Sequence, residues 1–230
     1  KLKELKEELE ILNNSTESYE KVKNKVFQAK QNYYKSAKIL SSHRKKFAVH
    51  LESLINKELV PLKLEDAKFE VEVIEKAENK ENENGLDNIK FIVSMNKGAS
   101  KGEIHKISSG GELSRLMLAI NLVIANSLNK KTLVFDEVDS GVSGAVAEAI
   151  AIRLLNLSNT QQVLVVTHLP QVAARGKQHF KTFKFSKNNI TVTGVKELSY
   201  EDRVEEVATM ISGNKITEEA RLLSKKLIHN

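Results

Sequence analysis

The sequence predicts an α/β fold, a mainly parallel sheet flanked by helices, with a long coiled-coil helix at its amino end. Three observations predict it. A 3.5-residue apolar repeat runs from Leu2 to Leu54. Two apolar, strand-like segments, Thr132 to Phe135 and Val163 to Val166, are separated by one helix-like segment, the spacing of a parallel crossover. Acidic and glycine-rich turns fall where these segments end or the helices begin.

With Leu2 at heptad position a, the d positions are Leu5, Leu12, Tyr19, Val26, Tyr33, Leu40, Phe47 and Leu54, all apolar. The a positions are mixed, with Thr16, Lys23, Lys30 and Arg44 interrupting Leu2, Leu9, Ala37 and Leu51. So long a 3.5 repeat exceeds an ordinary globular helix and calls for a partner helix to cover the seam. Pro61 ends the pattern, because it cannot donate into the preceding turn and disfavours helix at Val60. The chain therefore divides into an arm segment, 1–60, and a globular lobe, 61–230.

In the lobe, Phe69, Val71 and Val73, then Ile89, Phe91 and Val93, alternate with polar residues and predict two antiparallel strands joined by a mobile polar loop. A helix from Ser109 to Leu128 precedes the first apolar strand, and one from Ser143 to Leu157 links it to the second. Alternating stretches at Phe180 to Phe185 and Ile190 to Val195 predict a hairpin around Asn188 and Asn189. Helices over Tyr200 to Ile211 and Thr217 to Ile228 close the chain.

Composition narrows the classes of function. With 40% hydrophobic and 29% charged residues among 230, the chain can bury one core and still carry a solvated arm. It has no cysteine, which excludes disulfides and thiolate metal sites and fits a cytoplasmic setting. No stretch reaches the length of a membrane span. The first residue, Lys1, already lies inside the helical pattern, which raises the expectation of sequence upstream. The net charge of +6 permits a polyanionic partner, although lysine-rich solvated faces give the same excess.

Three sets of residues can carry chemistry. Ile107 to Arg115 opens a helix with Ser108, Ser109, Gly110, Gly111 and Glu112. Glycines admit a phosphate close to backbone amides, the helix start offers unpaired N–H groups, and Ser109 adds a hydroxyl. The same residues also make a capping box, with Ser109 at the cap and Glu112 three residues on. Asp136 and Glu137 end the first parallel strand abruptly, at the edge where such sheets hold ligands. Asp136 suits magnesium, held through water, and Glu137 suits a base that orients and deprotonates an attacking water. Two carboxylates at a strand end are equally a solvated turn. His168 follows the second strand at the same edge, where it can bond a terminal phosphate or serve as a loop residue before Pro170.

The order of these sets resembles the signature motif, Walker B, D-loop and switch histidine of ABC and SMC ATPase heads. Ser109-Gly110-Gly111-Glu112 is similar to the signature, with glutamate in place of the glutamine usual in transporters, and Asp136-Glu137 to Walker B. By the same resemblance Asp139 belongs to the D-loop and His168 to the switch. The longer strings Ser108 to Arg115, Phe135 to Gly141, Val166 to Ala174 and Asp202 to Ala208 are similar to bacterial SMC-like DNA-repair ATPases. The resemblance implies the carboxy-terminal lobe of a P-loop NTPase head, with ATP and magnesium as cofactors. Its expected partners are an amino-terminal P-loop lobe of the same protein, a second head in a homodimer, and DNA, in the bacterial cytoplasm or nucleoid.

One string is absent. A P-loop needs glycine, four residues and then Gly-Lys-Ser/Thr, and no such string occurs here; the loop from Gly98 to Lys106 has the wrong order. The expectation is an ATPase lobe that is inactive alone and hydrolyses ATP only when a P-loop lobe joins it. The alternative is a non-hydrolysing clamp or tether that grips DNA through the coil and basic faces such as His43 to Lys46.

Overall fold

The computed structural model describes the chain except residues 78, 79, 81, 105–109, 126–128, 188, 189, 214 and 230, and the side chains of 3–17, 187 and 190. Ser109, the tip of the predicted hairpin, and the seam side chains of Leu5 and Leu12 lie outside the described residues. The chain forms two compact units, Lys1–His50 with Val71–Lys90, and Leu51–Glu70 with Phe91–Asn230.

Helix α1 runs unbroken over Leu2–Leu59. It ends where the sequence dictates: Pro61 sits in a single 3-10 turn, Val60–Leu62, and Lys63 takes a left-handed backbone at φ 58° that turns the chain away. Strands β1 (Lys68–Glu75) and β2 (Asp87–Ser94) are neighbours in one sheet, with a short third strand, β3 (Gly102–Glu103), antiparallel to β2. The sequence pattern did not announce β3, which is only two residues long.

In the first unit, the stripe of α1 formed by Ala37, Ser41, Arg44 and Ala48 is buried or half-buried, while the heptad residues Tyr19, Val26, Leu40 and Phe47 remain exposed. The polar interruption at Arg44 is explained locally. Asp87 is buried, and its carboxylate accepts from Ser41 Oγ at 2.7 Å and from the Arg44 guanidinium at 3.1 Å. Tyr33 OH donates to the Asn82 carbonyl at 2.9 Å. Arg44 is thus a partner for the β1–β2 connection rather than a residue of the apolar seam.

The second unit holds the core. Ile55, Leu59, Leu62 and Phe69 are almost fully buried, and Phe69 stacks on Phe91 with ring centroids 5.8 Å apart. Asn56 clamps the backbone of Phe69, donating to its carbonyl at 2.8 Å and accepting its N–H at 2.9 Å. Helix α2 (Gly110–Ile124) leads to β4 (Thr132–Phe135), α3 (Gly144–Ser158) and β5 (Gln162–Val165). Then follow α4 (Pro170–Arg175), β6 (Phe180–Lys187), β7 (Ile190–Glu197), α5 (Tyr200–Ser212) and α6 (Glu218–His229). Leu116 and Leu118 of α2, Ile150 and Leu157 of α3, and Val207 of α5 supply the centre.

The expectation of a mainly parallel sheet needs correction. Among the described residues only β4 and β5 pair in parallel, from Thr132 opposite Gln162 to Phe135 opposite Val165, and they form a two-stranded sheet. Connection length gives the reason. Helix α3 carries the chain from β4 back to the start of β5, the crossover that parallel pairing requires, whereas β6 and β7 are separated by only two residues, which enforces antiparallel register from Phe180–Glu197 to Lys187–Ile190. No described helix is long and apolar enough to cross a membrane.

Candidate functional site

Strand β4 ends on Phe135, which is buried; the next two residues, Asp136 and Glu137, are exposed. The backbone at Glu137 is left-handed, φ 57°, a conformation that a non-glycine residue adopts at a cost of about 1 kcal/mol or more. It begins a tight turn, with Ser140 N–H donating to the Glu137 carbonyl at 3.0 Å. This turn throws the Glu137 side chain toward the start of α2. A Cβ on Gly110 would collide with Glu137 Oε2, and one on Gly111 would lie 3.0 Å from Ser140 Cβ and 3.3 Å from the Glu137 carbonyl. Close approach to the turn's backbone favours glycine at Gly111, whereas at Gly110 the neighbour is the movable carboxylate of Glu137, which lies against the bare backbone there.

Two residues of α2 fasten it to the same turn. Ser114 Oγ donates to the Asp136 carbonyl at 2.7 Å, and the Arg115 guanidinium donates to the Ser140 carbonyl at 2.8 Å. Arg115 is buried, its Nε has no protein partner, and burial pulls its pKa below the ordinary arginine value against an opposing pull from Glu112. Glu112 lies in the first turn of α2, where a carboxylate complements the helix dipole.

Asp139 joins this turn to the end of β5. It is 1% exposed. Its carboxylate accepts from the Thr167 hydroxyl and from the backbone N–H of His168 at 3.3 Å. His168 Nδ1 lies 3.8 Å from the same oxygen. The imidazole itself is 73% exposed. Thr167 Oγ1 also accepts the Leu169 N–H at 3.0 Å, which fixes the entry into α4. The parallel register sets up this juxtaposition, since Val166 N–H donates to the Phe135 carbonyl at 2.9 Å and so aligns the two strand ends.

The structure thus gathers Gly110, Gly111, Glu137 and Asp139 around one turn, and ties His168 to it through Asp139. Asp136 stands at the strand end with its carboxylate in solvent. Sequence reasoning assigned no role to Ser114, Arg115 and Thr167. A signal existed for Arg115: Gly111, Arg115 and Ala119 recur at four-residue spacing, so a cation sits in the buried stripe of an apolar helix. Thr167 carried no such signal, because its use depends on a carboxylate 28 residues away.

As to fit, carboxylate oxygen is the donor magnesium prefers, and the exposed Asp136 provides it at the strand end. No group of three or more potential ligand side chains occurs among the described residues. The donor set therefore suits an ion held mainly by ligand oxygens and water. The glycine start of α2 fits a phosphate in shape and donor type.

No family model matches the chain. The chain is 40% identical to the DNA repair protein RecN of Rickettsia conorii, over 97% of its own length and 40% of that protein. It is 35% identical to RecN of Bacillus subtilis, over 97% and 41%, and 37% identical to RecN of Haemophilus influenzae, over 98% and 40%. It spans about 40% of the length of these curated relatives. Among solved structures, the Smc head domain with a coiled coil and joint from Pyrococcus yayanosii gives a TM-score of 0.48 at 19% identity, covering 72% of this chain and 29% of that one.

Proposed function

From the premise that this chain is a homologue of RecN along 97% of its length, we propose that it is the carboxy-terminal lobe, 61–230, of an SMC-like ATPase head, preceded by an arm segment, 1–60. In this reading the complete protein binds and hydrolyses ATP between two heads, in the bacterial cytoplasm or nucleoid, to drive recombinational repair of broken DNA. The observation that carries it is the placing of Glu137 against the bare backbone of Gly110, in the turn whose Asp139 also holds the backbone of His168.

The residues divide the work. Glu137 orients a water and accepts its proton. Gly110 and Gly111 present backbone N–H groups to phosphate, with Ser109 and Glu112 beside them in sequence. His168, exposed and steered by Asp139, donates to a terminal phosphate oxygen. Asp136 would hold magnesium, which when bound neutralises phosphate charge. None of these groups supplies a P-loop, so the lobe is inactive alone. A further observation supports a missing lobe: Val134, Leu164 and Val166 line one face of the β4–β5 sheet and are all exposed. An uncovered apolar sheet face of this kind needs a second layer.

The test is ATP hydrolysis by this chain alone and mixed with a separately made amino-terminal lobe bearing the P-loop. Activity is expected only in the mixture. Glu137→Gln should reduce it by about 10²- to 10⁴-fold, the usual contribution of a general base. A mixture that forms a complex but hydrolyses nothing, or a Glu137→Gln variant with full turnover, overturns the reading.

A further inference from the structure

Helix α1 is not uniformly charged. From Lys1 to Glu20 it has three lysines and six glutamates; from Lys21 to Leu51 it has nine lysines and arginines and no acidic residue. A helix that is merely solvated mixes signs, because opposite charges four residues apart stabilise it and like charges destabilise it by a few tenths of a kcal/mol per pair. Glu20 pairs with Lys23 at 3.3 Å at the amino end of this stretch; from Lys25 to Leu51 the helix carries seven lysines and arginines with no acidic residue among them to offset their repulsion.

The structure shows where that charge converges. Lys38, Ser42 and Lys45 recur at helical spacing, and with Lys46 and Ser41 they line a groove of about 450 Å³, closed on the far side by Glu75 and Leu86. Lys38, Ser42, Lys45 and Lys46 are exposed. Arg44, the one member of the 43–46 cluster used internally, turns to Asp87 instead. Lys38, Lys45 and Lys46 are thus left to the groove, where Glu75 is the one carboxylate among the described lining residues.

We propose that this groove is a binding site for the phosphodiester backbone of a nucleic-acid duplex. The choice of nucleic acid rests on the repair-ATPase reading above; the choice of a polyanion rests on the groove. Lys38 to Lys46 spans about 12 Å along the helix, over which a duplex carries about seven phosphate charges. Ammonium heads on flexible stems, with serine hydroxyls beside them, contact phosphate without reading bases, so binding is independent of sequence.

The test is fluorescence anisotropy of a labelled 30-base-pair duplex with this chain, without nucleotide, as salt is raised. The triple variant Lys38→Gln, Lys45→Gln, Lys46→Gln should reduce the slope of log affinity against log salt by about 2.7, at about 0.9 per contact. The control Lys177→Gln, Lys225→Gln, Lys226→Gln, with the same change in net charge, should leave it unchanged. Equal slopes for parent and triple variant, equal losses in both variants, absence of duplex binding by the parent, or binding of anionic phospholipid vesicles in preference to the duplex would each overturn the proposal. Circular dichroism confirms the helix in both variants. Because no nucleotide is present, this result stands or falls separately from the hydrolysis test.

Discussion

The chain buries two aspartates in different ways. Asp87, in the first unit, meets a guanidinium and a hydroxyl from α1. Asp139, in the second, meets only a hydroxyl, a backbone N–H and an exposed imidazole. The first arrangement is closed: the charges of Arg44 and Asp87 cancel within it. The second is open at one end, since the imidazole that Asp139 steers projects into solvent. A buried carboxylate that fixes another buried group stabilises a fold, whereas one that fixes an exposed titratable group prepares a site. The backbone strain at Glu137 and the unpartnered Nε of Arg115 lie around the second aspartate, the kind of local cost that collects at functional sites.

The largest effect that would break this comparison is on turnover. Asp139→Ala frees the Thr167 hydroxyl and the His168 loop, and should lower ATP hydrolysis by the reconstituted protein about 100-fold, the scale of misplacing a catalytic group by an ångström. Its far-UV circular dichroism should match the parent. An unfolded variant, or an active one, would place Asp139 in the same class as Asp87. Next comes Asp87→Ala, which strands Arg44. Breaking a buried pair costs 3–5 kcal/mol, but Arg44 is partly solvated, so about 2 kcal/mol is expected. The loss should appear as faster hydrogen exchange in Val71–Lys90, with hydrolysis unchanged.

The smallest effect sharpens the comparison with a base. Burial lowers the pKa of His179 from its ordinary 6.5, and Arg203 and Lys181 press the same way against Glu206. The folded chain therefore binds this proton less readily than the unfolded one. The neutral ring's contribution is intact above about 6.5 and is lost as pH falls from there toward the lower folded pKa. Thermal melts at pH 7 and 5.5 should show a decline that is shallower in His179→Gln. An identical decline would mean that burial of His179 has no energetic consequence.

Much of the fold was legible because it rests on local rules. Pro61 stops α1, alternation at Phe69 to Val73 gives β1, and a helix-length connection makes β4 and β5 parallel. The candidate site was legible as an ordered string, Gly110-Gly111, Asp136-Glu137 and His168, of which Gly110, Gly111 and Glu137 meet at one turn, with Ser109 outside the described residues. Arg44 could not be interpreted from its heptad position, since its reason is Asp87, 43 residues on. Likewise the left-handed turn at Glu137 has no glycine to mark it.

By itself, then, the sequence determined periodicity, breaks and the order of reactive side chains, because these depend on neighbours within a few residues. Tertiary structure decided which carboxylates are buried and by what they are satisfied, that Gly110 faces Glu137, that Asp139 holds His168, and that Lys38, Lys45 and Lys46 share a groove. Those are contacts between distant segments, and their energies arise only when packing removes the competing water.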